Sequence, residues 1–159
     1  MGYYTRAFCT SEKVPTIKEL IEWAETKGIK LFTSDEIDLE TRDWDDVAIY
    51  YRKDKLPILS EINHEEDDEA CLMKNEIEEF KEFLSDVKGF LNPSKSKVIE
   101  HLGKTRFIVA NQLPTSDIED DGFDANGIVL QYFEKHCGGM IQIDGEGFYE
   151  GNKLIIRLE

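Results

Sequence analysis

The sequence predicts an α+β protein, an antiparallel sheet with its helices packed on one face. Three observations carry that prediction. Short stretches rich in aromatic and β-branched residues alternate with stretches of helical period. Several of the strand stretches arrive in pairs joined by turn residues, the mark of antiparallel hairpins. And the order strand, helix, strand, strand occurs twice along the 159 residues.

Residues 3–9 open the chain as a short aromatic strand. A loop follows, and Thr16 then begins a helix over 16–27. Its hydroxyl is placed to cap the first turn and Glu19 stands three residues on, the spacing of a capping box. Ile17, Leu20, Ile21 and Ala24 form one face, and Lys27-Gly28 closes the helix. Residues 29–32 read as a short strand or edge. The polar stretch 33–46 reads as a loop anchored by Trp44. Residues 47–51 and 57–63 read as a hairpin, with Pro57 at a strand start where a missing N–H costs little.

Five consecutive acids, residues 65–69, repel one another and read as a solvated linker. A helix is expected over 72–87, with Ile77, Phe80, Phe83, Leu84 and Val87 inward and Glu76, Glu78, Glu79 and Glu82 outward. Residues 89–94, containing Asn92-Pro93, form the best internal boundary, followed by a short helix over 95–102. Residues 106–112 contain the continuous apolar run Phe107-Ile108-Val109-Ala110, which predicts a central strand covered on both faces. An acidic loop over 113–124 precedes a helix over 125–137, in which Asp124 or Asn126 is expected to cap. Strands at 140–143, 148–149 and 153–158 close the chain, with Asp144-Gly145 as a turn signal.

The two strand-helix-strand-strand halves share element order but no residue-level similarity. They suggest one compact domain of two lobes: residues 1–64, an acidic linker and connecting helix over 65–94, and residues 95–159. The arrangement resembles ferredoxin-like and related folds, several of which bind small ligands between their halves. The resemblance is one of fold and names no functional motif.

Composition narrows the function classes. A formal net charge of −15 repels phosphate backbones and anionic membranes, which argues against nucleic-acid and membrane partners. No apolar run approaches the roughly 20 residues that a membrane span needs. Three widely spaced cysteines without a secretory leader fit a reducing cytoplasm and offer no zinc-ligand spacing. Gly138-Gly139 follows a helix rather than opening one, so it is no phosphate cradle.

Two stretches have chemistry in them. Asp117, Glu119 and Asp121, with Gly122 sixth, imitate the opening of a calcium loop. The twelfth place is Ile128, so the EF-hand pattern fails and only an improvised divalent-metal site is left; no other cofactor is evident. In Asp144-Gly145-Glu146-Gly147-Phe148-Tyr149, two carboxylates lie two apart among flexible glycines. They suit an acid/base pair or a metal, and the glycines would let a ligand approach the backbone. His136-Cys137 is no catalytic pair, because neighbours on a helix point about 100° apart.

Three functions follow as expectations. One is a non-catalytic ligand-binding or regulatory module, holding a small molecule or protein between the lobes near Asp144, Glu146, Phe148, Tyr149 and Tyr50. Another is a metal-assisted hydrolase or isomerase using Asp144 and Glu146. The third is an acidic inhibitor or immunity-type protein that masks a basic partner.

Overall fold

β1 (Tyr3–Cys9) lies at the middle of a seven-stranded antiparallel sheet in this computed structural model, which describes residues 3–34, 36–66, 71–87 and 92–158. The remaining strands are β2 (Asp46–Ile49), β3 (Ile58–His64), β4 (Phe107–Leu113), β5 (Gly139–Ile143), β6 (Gly147–Glu150) and β7 (Lys153–Arg157). They run in the order β2-β3-β4-β1-β5-β6-β7. β1 is antiparallel to both β4 and β5, and β3 is antiparallel to β4. Hence β1 and β3 are parallel with β4 between them, and β4 and β5 are parallel with β1 between them.

α1 (Ile17–Thr26) follows β1, and α4 (Asp120–Cys137) joins β4 to β5. Two strand-helix-strand crossovers therefore interlock, which is the strand order of a ferredoxin-like plait. β2 extends one edge of it and the β6–β7 hairpin extends the other. The chain halves interleave, since β4 of the second half separates β1 from β3 of the first.

The α+β class and the antiparallel sheet are as the sequence predicts. The placement of all helices on one face is not. α1 and α4 cover the face bearing Ala7, Cys9, Phe107, Val109 and Ile141. α2 (Leu72–Ser85) and α3 (Pro93–Gly103) cover the opposite face, where Phe8, Ile108, Met140, Phe148 and Ile156 lie. The reason is visible in the alternation. β4 has large apolar side chains at odd and even positions alike, and β1 buries Ala7, Phe8 and Cys9 in succession, so apolar groups on both faces are removed from water.

On the α1/α4 face a buried polar chain runs between elements. Ser60 donates to Asn111 Oδ1, Asn111 Nδ2 to Asn126 Oδ1 at 2.9 Å, and Asn126 Nδ2 to Thr5 Oγ1 at 3.1 Å. It ties β3, β4, α4 and β1 in one register. Asn126 is thus an interior residue and not a cap. α4 begins five residues before the predicted start, because Asp120 and Asp121 in its first turn favour the positive helix end. Gly138, left-handed at φ 63°, ends it.

The strand expected over 29–32 is reduced to one bridge, Phe32 to Tyr50, with the two rings stacked at 5.6 Å. Trp44 does anchor its loop, donating to the Pro15 carbonyl at 2.8 Å. In the acidic run, Asp67, Asp68 and Glu69 lie outside the described residues, as do 88–91, which hold half of the predicted boundary at 89–94. Among the described residues no helix is long and apolar enough to cross a membrane.

Candidate functional site

α2 and α3 cover only part of their face. Side chains alternate along each strand, so Tyr4 and Arg6 of β1 share the face of Phe8, and Ala110 and Gln112 of β4 share that of Ile108. Leu59 and Glu61 of β3 join them through the register Leu59–Gln112 and Glu61–Ala110. Phe8 and Ile108 are under α2. The others line three adjoining hollows of about 630, 300 and 340 Å³. The first two share Arg6, Glu76 and Glu79, and the last two share Tyr4, Glu61 and Ala110. Together they form one trough that crosses the strands, from Asp144 and Arg157 at one end to Ala48 of β2 at the other.

Arg6 is the hub of the trough. Its Nε donates to Glu76, and its Nη1 donates to Gln142 Oε1 at 2.8 Å and Asp144 Oδ1 at 2.7 Å. The guanidinium also lies over the Tyr4 and Phe80 rings, at 5.4 and 5.3 Å from their centroids. Burial works against its charge, but Glu76 and Asp144 more than offset this and raise its pKa above the ordinary value. Arg6 was not singled out in the sequence. The available signal was a lone charge within an aromatic and apolar strand, which must find partners when buried.

The trough is acidic beyond what Arg6 neutralises. Among the described residues, Asp46, Glu61, Glu76, Glu79, Asp86 and Asp144 line it, against Arg6 and Arg157. It also holds large apolar side chains in water: Leu59 is 49% exposed, Leu72 67% and Phe83 47%. The helical pattern placed Phe83 inside. It lies instead on the flank of α2, edge-on to Phe80 at 5.9 Å, because α2 turns only Met73, Ile77, Phe80 and Leu84 fully inward.

The residues singled out in the sequence do not gather at one point. Asp144 is in the trough. Glu146 accepts from Tyr3 at 3.3 Å and from Tyr149, both of which pack against the α1/α4 core, so the two carboxylates diverge to opposite faces. Burial and the Glu146 carboxylate push Tyr3 up to about 12. Phe148 is wholly buried between Phe8 and Phe80. Tyr50 closes the β2 edge, with β3, β4, β1 and β5 between β2 and the β6 strand that carries Phe148 and Tyr149. At about 4.8 Å per strand that places them some 24 Å apart.

The glycines around Glu146 have a local cause. Gly145 takes φ 80° in the turn, and a Cβ on Gly147 would fall 1.9 Å from the Ile156 carbonyl oxygen.

The calcium-like carboxylates are engaged with cations. Glu119 contacts Arg52 at 2.7 Å and Lys55 at 3.0 Å, Asp117 contacts Lys55 at 3.6 Å, and Asp121 contacts Arg52 at 3.5 Å. Hydrogen bonds from Lys55 and Arg52 hold Glu119 below its usual range. Among the described residues no group of three or more His, Cys, Asp or Glu side chains is placed to hold a metal ion.

No family model, curated protein or solved structure matches this chain.

Proposed function

We propose that this chain is a non-catalytic interaction module that docks a basic partner protein on the open half of its sheet. The observation that carries this is the trough itself, a concave acidic face in which Leu59, Leu72 and Phe83 stand in water. Exposed apolar groups rimmed by one sign of charge suit a partner that supplies the opposite sign and covers them. A compact small molecule would fill one of the three hollows and leave the rest wet. The divergence of Asp144 and Glu146 weighs against hydrolysis by that pair. A cytoplasmic setting fits three free, buried cysteines, and burial with the nearby Glu19 carboxylate raises the Cys137 thiol to about 11.

The test is a photoreactive phenylalanine at Leu59, with Glu25 on the exposed side of α1 as the control position. A partner crosslinked from Leu59 alone, whose affinity falls steeply with ionic strength, is the expected result. Equal crosslinking from both positions, or affinity indifferent to salt, overturns the reading.

A further inference from the structure

We infer that the occupant of the trough is a basic amphipathic helix lying alongside α2, an inference that rests on the docking reading above and adds the partner's secondary structure and charge register. The direction of the trough comes first. The start of α2, at Leu72 and Asn75, lies with Glu61 and Asn63 of β3, and its end, at Phe83 and Asp86, lies with Asp144 and Arg157. α2 therefore runs across the strands and forms one wall for its whole length, about 21 Å for 14 residues.

The floor excludes strand addition. β3, β4 and β1 are interior strands, hydrogen-bonded on both sides, so an extended segment in the trough finds no sheet edge to pair with. Its own N–H and C=O groups would lose water without gaining partners. A helix satisfies those groups internally and needs only a side-chain seam.

α2 offers such a seam. Leu72, Glu76, Glu79, Phe83 and Asp86 follow one another at spacings of four and three, the a/d pattern by which helices pair. All five line the trough. The seam runs beside the buried one of Met73, Ile77, Phe80 and Leu84, so α2 turns one stripe to the sheet and an adjacent stripe to the trough. Glu76 is taken by Arg6. Glu79 and Asp86 have no cation partner among the described residues. The complement is a helix with two apolar residues eleven apart, facing Leu72 and Phe83, and two Lys or Arg seven apart, facing Glu79 and Asp86.

Two hydrocarbon-stapled peptides with Leu and Lys at those spacings, one for each orientation along α2, are the probes. Controls are a scrambled peptide and an unstapled one with a central proline, which breaks the helix. Fluorescence anisotropy is expected to show one stapled peptide binding at least about tenfold more tightly than either control. Glu79→Lys and Asp86→Lys should each weaken it about tenfold, and a peptide with Glu in place of Lys should recover binding to the doubly reversed protein. Leu72→Ser, at an exposed position, should also weaken binding without lowering the melting temperature.

If the proline peptide binds as tightly as the stapled one, the helix inference is overturned and the docking reading stands. Binding that ignores Glu79→Lys and Asp86→Lys overturns the register. If neither stapled peptide binds, the helix inference fails, and crosslinking from Leu59 decides the docking reading by itself.

Discussion

On the α1/α4 face, Ala7, Val109, Ile141 and their neighbours lie under two helices and a buried polar chain. On the opposite face, α2 and α3 cover Phe8, Ile108, Met140 and Phe148, while the stretch from Tyr4 and Arg6 to Leu59 stays open. Both faces belong to the same seven strands. The difference is therefore not one of sheet but of what is laid upon it. The closed face is built for stability. The half-open face spends part of its apolar surface where folding gains nothing from it, and such surface is the usual material of an interface.

The sharpest way to break this comparison is inside the closed part of the α2/α3 face. Phe148→Ala removes a wholly buried ring with centroids 5.7 Å from Phe8 and 5.5 Å from Phe80. Denaturant unfolding should show a loss of about 3–5 kcal/mol; a loss below about 1 kcal/mol would mean that this side has no true core. Arg6 sits where the closed and open parts meet. Arg6→Met leaves Glu76 and Asp144 without their cation and should cost about 1.5–3 kcal/mol in the same assay. A neutral result would mean that the Arg6 network contributes little to the fold.

On the α1/α4 face, Asn126→Ala leaves Asn111 Nδ2 without its acceptor and Thr5 Oγ1 without its donor. Its expected cost is about 1–3 kcal/mol, and a much smaller loss would show the polar chain to be passive.

The rim of that face can be probed by alkali. Tyr3 is raised from 10 to about 12 by burial and the Glu146 carboxylate. Because the folded pKa lies above the ordinary value, its stabilising contribution is complete below pH 10 and is lost as pH rises toward about 12. Melting temperatures from pH 9 to 12 should fall less in Tyr3→Phe than in the parent protein. Parallel curves would remove Tyr3 from the account.

The smallest effect on stability belongs to the open part. Leu59→Ser, at a side chain 49% exposed, should stay within about 0.5 kcal/mol of the parent. A large loss would show that Leu59 supports the fold and would close the trough as an interface.

How much of this was legible depended on range. The four-residue apolar run from Phe107 to Ala110 announced a strand buried on both sides, and β4 is that strand. The same run contradicts a sheet with helices on one face only, but which helices cover which face depends on the path of the chain. The Asp144–Tyr149 stretch drew attention for its glycines, whose cause is a turn and the close pass of the Ile156 carbonyl. Arg6 drew none, because its partners are 70 and 138 residues away. The α2 seam was half legible: the pattern of alternating carboxylates and phenylalanines was plain, but not that Phe83 stays in water.

The sequence by itself determined the α+β class, most of the strand and helix segments and the acidic balance. These follow from local period, turn chemistry and composition, which act within a few residues. Only the tertiary structure decided the interleaving of the halves, the division of helices between the faces and the trough around Arg6. Those depend on contacts between residues far apart in the chain, and on side chains that local pattern places on a face without saying what will cover it.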